Sequence, residues 1–232
     1  MTRALTILRA GPGVTVQDMG RPGWRAQGLS QGGAADPLAL AEAAALLGQG
    51  PLAAVEIAAS YLEVAFDASV RVALTGAPMR AEAAGALAWN AAHALPAGAR
   101  LALSGSPGGY SYLHVGGGIG GAVVLGAVSA HLAAGIGRGL AAGDRLHLGP
   151  DPGGAAGLAL TPLARQAPPG VPLRFRFVPL DKAVALERAE ARRRAALRAD
   201  LRPLRRDPRA TPDLLAYQLI GGVTRGDDLD RP

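Results

Sequence analysis

Between Val55 and Leu148 apolar residues recur in short runs of period-two character, cut at short intervals by glycine. Tyr61-Leu62-Glu63-Val64-Ala65-Phe66, Val70-Arg71-Val72-Ala73-Leu74 and Arg100-Leu101-Ala102-Leu103 are three such runs. That period puts alternate side chains on one face of a strand, and the glycines supply tight turns. The segment is predicted to fold as a β-rich domain, a barrel or sandwich, with one helix near its start. The helix has its own signals: Asp36 as N-cap, Pro37 at the first helical position, and Gly48 as the stop. Leu38, Ala41, Ala45 and Leu46 form its apolar face. Thr6–Leu8 reads as a short strand and Gly11–Gly33 as loop.

Composition narrows the chemistry. The 232 residues include 50 alanines and only 4% aromatics, so the core must be built from Ala, Val, Leu and Ile. Cysteine is absent, which excludes disulfide scaffolds, thiolate metal sites and a cysteine nucleophile. The N-terminal stretch Met1–Ile7 lacks the apolar run of a signal peptide, and the protein reads as cytoplasmic. Residues 1–164 carry nine Arg against nine Asp and Glu, whereas residues 165–232 carry fifteen Lys and Arg against nine. The whole basic excess is therefore C-terminal. It lacks interleaved aromatics or a binding motif, and nucleic acid is not expected as a partner. Val115–Gly137 holds no charged residue over 23 positions. Its glycines, with Ser129 and His131, suit buried strands and tight turns better than a membrane span.

After Gly149 the composition shifts. Residues 1–150 are predicted to form the β-rich unit, 151–170 a linker, and 171–232 a partial, arginine-rich second unit. Within the last, Leu173–Pro179 reads as a strand and Asp181–Leu197 as a charged, solvated helix. Arg202–Pro212 is polar and broken by proline.

Gly116-Gly117-Gly118-Ile119-Gly120-Gly121 contains the G-x-G-x-x-G of dinucleotide sites, directly after a strand-like run. The next acidic residue, Asp144, lies too far along, and the helix that should follow contains Gly126 at its centre. A backbone-crowded turn is the expectation. His93, His114, His131 and His147 are scattered without ligand spacing, and no metal site is predicted. The richest polar stretch is Thr15–Gly23, where Gln17, Asp18 and Arg21 fall within five positions of a glycine-rich loop. A carboxylate, an amide, a guanidinium and exposed backbone N–H groups suit a small polar substrate bearing a carboxylate or amide. Pairing of Asp18 with Arg21, merely pinning the loop, fits the same residues.

Thr15-Val16-Gln17-Asp18-Met19-Gly20-Arg21-Pro22-Gly23 resembles the T-V-Q-D-x-G-R-x-G signature of the biotin-dependent carboxyltransferase-domain family. That family takes in the C-type subunit of 5-oxoprolinase, allophanate hydrolase subunit 2 and the carboxyltransferase region of urea carboxylase. Gly33-Ala34-Ala35-Asp36, Val55-Glu56-Ile57, Leu74-Thr75-Gly76-Ala77 and Tyr112–Ile119 are similar to further family motifs in the same order. Three departures stand out. Gly32 replaces a common serine. Leu125–Ala130 keeps Gly126 and Ser129 but lacks the family arginine, and Pro212–Leu219 only echoes a later motif.

The resemblance implies a mainly β fold with minor α, comprising a cyclophilin-like β-barrel subdomain and an incomplete second subdomain. It implies a subunit of an ATP-dependent 5-oxoprolinase, which opens 5-oxoproline to glutamate together with companion subunits. Carboxyl transfer from biotin to a urea-like amide and non-catalytic regulation of a partner are the alternatives. The implied site is Asp18, Arg21 and Asp36 as catalytic residues, with Gln17 and Glu56 binding substrate. The isolated chain is expected to be inactive.

Overall fold

Alternation in the sequence becomes two antiparallel sheets. The computed structural model describes residues 3–105, 108–160 and 177–204. In chain order the strands are β1 (Ala4–Ala10), β2 (Val14–Gln17), β3 (Ala54–Ala58), β4 (Leu62–Phe66), β5 (Val70–Gly76), β6 (Arg80–Glu82), β7 (Ala86–Leu87), β8 (Ala91–Leu95), β9 (Arg100–Ser104), β10 (Tyr110–Val115), β11 (Arg145–His147), β12 (Leu158–Ala159) and β13 (Arg202–Pro203). Helix α1 spans Pro37–Leu47 and α2 spans Leu180–Ala195. One sheet has the order β11-β1-β4-β9-β6-β7 and the other β13-β12-β8-β5-β10-β3-β2. The mainly β, minor α class is as expected. The strands form a pair of sheets facing a shared core, and among the described residues no ladder closes them into a barrel.

Period two decides what each face does. Leu5, Ile7, Val64, Phe66 and Leu101 from the first sheet meet Val55, Ile57, Val72, Leu74, Leu113 and Val115 from the second. The intervening residues of β5 and β10, which are Ala73, Thr75, Tyr112 and His114, are also buried, because α1 covers the outer face of the second sheet. Ala73 and Ala92 have side chains small enough to let Ala43, Leu46 and Leu47 of α1 lie close. Burial on both faces explains why β5 is apolar along nearly its whole length.

The start and stop of α1 are those its sequence specifies. Asp36 Oδ1 accepts from the N–H groups of Leu38 (3.1 Å) and Ala39 (3.3 Å), and Pro37 occupies the first turn. Gly48 adopts the left-handed conformation at φ 66° and donates its N–H to the last-turn carbonyls. Beyond the helix, Arg71 on β5 forks onto Asp151, with Nε to Oδ2 at 3.1 Å and Nη2 on Oδ1, while Nη1 donates to Leu47 O at 3.0 Å. This clamp joins the end of α1, the second sheet and the segment expected as a linker. Leu160 and Leu197 then pack into the α1 cluster.

The charged helix expected at Asp181–Leu197 is α2, with no buried residue of its own. Of the strand expected at Leu173–Pro179, residues 173–176 lie outside the described residues, and 177–179 run into α2 without strand pairing. Pro212–Leu219 also lies outside them. No described helix is long and apolar enough to cross a membrane.

The glycine motif is a strand–turn. The N–H of Gly116 bonds Arg71 O, that of Gly117 Gln49 Oε1, that of Gly118 Val115 O, that of Ile119 Ala53 O, and that of Gly120 His147 O. Every one of these donors is committed within the fold, so no phosphate cradle remains.

Asp151→Ala strands a nearly buried guanidinium, and the expected loss of stability is on the order of 3 kcal/mol. Urea unfolding read as a lowered midpoint at unchanged slope measures it. A loss below about 1 kcal/mol would mean that the clamp behaves as a surface pair.

Candidate functional site

Strand β2 ends at Gln17, and the chain then turns sharply. Asp18 Oδ1 accepts from the Gly20 N–H (2.8 Å), which closes a side-chain-stabilised turn. Its Oδ2 accepts from the Val128 N–H at 2.8 Å, across a hundred residues of sequence. Gly20 adopts φ 79°, and a Cβ there would stand 2.6 Å from Gly32 O, so only glycine lets the two loop strands touch.

Arg21 follows and is fully buried. Its Nε donates to Val124 O (3.3 Å) and its Nη2 to Ser129 O (2.5 Å), while Nη1 has no partner among the described residues. The acceptors are presented by a tight hairpin, in which Val124 and Ala127 bridge and both central residues, Leu125 at φ 52° and Gly126 at φ 86°, have positive φ. Asp18 and Arg21 therefore grip the same hairpin, and the pairing of one with the other allowed by the sequence does not occur. Among the described residues no carboxylate pairs with this guanidinium.

Gln17 belongs to the same group. Its Nε2 donates to Thr15 Oγ1 (3.0 Å) and Ala130 O (3.2 Å), leaving Oε1 buried and unpartnered among the described residues. Ser129 is buried too, with its hydroxyl likewise unpartnered. Alongside, Ser30 Oγ lies 2.7 Å from His131 Nε2. The Ala134 N–H, which donates to His131 O at 2.9 Å, also lies 3.2 Å from His131 Nδ1. Sequence reasoning does not assign a site role to Ser30, Ser129 or His131. Ser129 and Gly126 are visible only as retained positions of a motif, and the meeting of Ser30 with His131 has no local signal.

Asp36 and Glu56 form a second cluster. Glu56 Oε2 accepts from the Ala35 N–H (2.8 Å) and the Tyr112 hydroxyl (2.7 Å), and that hydroxyl accepts from the Asp36 N–H (2.7 Å). Burial pushes the Glu56 carboxyl above its ordinary range, partly offset by the bonds from Ala35 and Tyr112. Burial, then the nearby Glu56 charge, raises the Tyr112 phenol. Next to Tyr112 on the same face, His114 Nε2 meets Thr75 Oγ1 at 2.8 Å, and burial lowers its pKa to about 3. Thus the structure brings Gln17, Asp18 and Arg21 together, and it sets Asp36 and Glu56 at the helix start. A cleft of about 710 Å³ lined by Arg9, Ser60, Tyr61, Glu63 and Ser104 involves none of the five. Among the described residues no three His, Asp or Glu side chains are grouped to hold a metal.

A family profile described as carboxyltransferase domain, subdomain A and B, matches residues 27–193. The chain is similar to the C-type subunit of 5-oxoprolinase from Escherichia coli strain K12, at 42% identity over 152 residues, which is 62% of this chain and 49% of that protein. It thus spans about half the length of this curated relative. Among solved structures, TTHA0988 in space group P212121 matches with TM-score 0.61 and 28% identity, covering 76% of this chain and 35% of that one. Kluyveromyces lactis urea amidolyase matches with TM-score 0.59 and 27% identity, over 62% of this chain and 9% of that one.

Burial of His114 has a consequence for stability. The unfolded chain takes up a proton near pH 6.5, whereas the folded chain does so only near pH 3, so acid weakens the fold between those values. The raised Glu56 works the other way: its contribution is full below pH 4.5 and is lost as pH rises through its folded value. His114→Gln should flatten the fall in melting temperature between pH 6.5 and pH 4, where the histidine contributes up to about 1.4 kcal/mol per pH unit. An unchanged acid limb in the variant would count against this assignment.

Proposed function

The chain belongs to the carboxyltransferase domain (subdomain A and B) family, and from that premise we propose that it serves as the C-type subunit of a cytoplasmic 5-oxoprolinase-like complex. The complex would open the lactam ring of 5-oxoproline to glutamate, coupled to ATP hydrolysis, with companion subunits supplying what this chain lacks. The observation that carries the reading is Arg21, a fully buried guanidinium with a free nitrogen and no carboxylate partner among the described residues. A small amide that carries its own carboxylate is the natural counterpart of such a group. The likeness to the Escherichia coli 5-oxoprolinase component supports the same choice.

Roles follow from the bonds already made. Asp18 has both oxygens engaged by backbone N–H groups, so it holds the hairpin and the loop in register instead of moving a proton. Arg21 attracts and orients the anionic substrate. Gln17 flanks it. Asp36 and Glu56 are assigned a positioning task at the start of α1. The Gly116–Gly120 amides are taken up internally and offer ATP no cradle. We assign nucleotide binding to the companion subunits. A second reading, carboxyl transfer from biotin to a urea-like amide, draws on the likeness to urea amidolyase and urea carboxylase of Kluyveromyces lactis.

Reconstitution with the companion subunits tests this. ATP hydrolysis that depends on 5-oxoproline should require this chain, and Arg21→Gln should lower kcat/KM by roughly 10²–10³-fold. Biotin-dependent carboxylation of urea would favour the second reading, and tight partner binding without turnover would overturn both. Asp36→Ala should cost about 0.5–2 kcal/mol of stability, while Asp36→Asn, which caps nearly as well, keeps both melting temperature and turnover. Lost turnover in the asparagine variant would return Asp36 to the chemistry.

A further inference from the structure

Three of the five buried polar atoms that lack a hydrogen-bond partner among the described residues belong to one cluster: Arg21 Nη1, Gln17 Oε1 and Ser129 Oγ. Two consecutive carbonyls tie these side chains together, since Arg21 Nη2 donates to Ser129 O and Gln17 Nε2 to Ala130 O. Unpaired buried polar groups destabilise a fold, and a buried cation without a counter-ion does so most. Each atom lacks something definite. Arg21 Nη1 is a donor on a cation and calls for an anionic acceptor. Ser129 Oγ can donate to that same anion. Gln17 has already committed its amide nitrogen twice, so its Oε1 calls for a donor. Water at these atoms would still leave the charge uncompensated. A carboxylate with an N–H on the same carbon meets every need.

We propose that Arg21, Ser129 and Gln17 form a binding site for an α-amido carboxylate. The carboxylate is taken by Arg21 Nη1 and Ser129 Oγ, and the amide N–H donates to Gln17 Oε1. The identity of the natural ligand rests on the function proposed above: 5-oxoproline carries its ring N–H and its carboxylate on one carbon. Approach is from the Gly32 side. Gly32 is exposed, and a Cβ there would stand 3.4 Å from Arg21 Nη1 and 2.7 Å from His131 Cδ2, so Gly32 lies between the guanidinium and the surface with no side chain of its own. Its φ of 60° suits glycine, and Gly33 beside it has φ 85°.

The test is titration of the full chain at constant ionic strength, followed by thermal melting and calorimetry. The probes are 5-oxoproline, its lactone analogue with ring oxygen in place of N–H, N-acetylglycine and acetate. The expected result is saturable binding of 5-oxoproline, raising the melting temperature by about 5 °C at a hundredfold excess over Kd. The lactone acid and acetate should bind at least tenfold more weakly. Ser129→Ala removes an unsatisfied hydroxyl, so its unliganded melting temperature should be unchanged or higher while affinity for 5-oxoproline falls at least tenfold. Arg21→Gln should show no saturable response. Equal binding of the lactone acid, undiminished binding to Ser129→Ala, or no saturable response to any probe overturns the site. Binding of N-acetylglycine without 5-oxoproline would keep the site and remove the 5-oxoprolinase reading. Normal turnover of 5-oxoproline by a reconstituted complex carrying Ser129→Ala would do the reverse.

Discussion

The hydroxyl of Tyr112 fastens the helix to the sheet. It donates to Glu56 and accepts from the N–H of Asp36, both at 2.7 Å. Glu56 in turn holds the Ala35 N–H. The register behind this contact is set by the ladders, because Glu56 pairs with Tyr112 on one side and with Thr15 on the other. One central strand position therefore fixes where α1 begins and where β2 runs. The loop between them, residues 18–36, is thereby held at both ends. A tyrosine in this role makes sense of the sparse aromatics: its ring fills the face beneath α1 with Ala34, Ala39 and Leu40, and its polar tip finishes the network.

Fixing both ends of the loop makes a buried arginine tolerable. Arg21 has the Gln31 carbonyl on its own N–H, and Asp18 receives the Ala34 N–H on its backbone oxygen, so the loop folds back on itself beside the hairpin at Val124–Ala127. Two carbonyls then take part of the guanidinium's donor capacity. Carbonyl dipoles reduce the desolvation cost without cancelling the charge. Arg71 shows the contrast within the same molecule. It too is nearly buried, but Asp151 neutralises it through a two-pronged contact and Leu47 O takes the remaining nitrogen. One arginine is complete as it stands, and the other is not.

Much of this architecture could be read from the sequence, and what could be read was local. Asp36, Pro37 and Gly48 each act through atoms within four residues, so the bounds of α1 were legible. The period of β4, β5 and β9 was legible for the same reason. The grouping of Gln17, Asp18 and Arg21 was legible too, since they fall within five positions, although the strand that ends at Gln17 lies in a stretch read as loop. What could not be read depends on contacts far apart in the chain. Asp18 finds Val128, Arg21 finds Ser129, and Ser30 finds His131, each across about a hundred residues. For Asp18 and Arg21 the partners are a backbone N–H and a backbone carbonyl, which have no sequence signature. Asp36 and Glu56 were assigned to the site because they stand in motifs that resemble those of the family. Their bonds to the backbone and to Tyr112 give them a structural use that composition does not distinguish from a chemical one.

The two glycine-rich stretches make the same point about anion binding. Gly116–Gly121 has the spacing of a phosphate loop, yet its first five amides bond to Arg71, Gln49, Val115, Ala53 and His147, and what glycine provides there is close approach: a Cβ on Gly117 would stand 2.2 Å from Gly149 O. Gly28–Gly33 has no such motif. Its Gly32 lies against Arg21, which keeps one nitrogen unbonded among the described residues. Anion recognition requires a donor that the fold has not already used, together with a charge that it has not already balanced. By that criterion the candidate in this chain is the arginine loop, and the glycine motif is part of the scaffold.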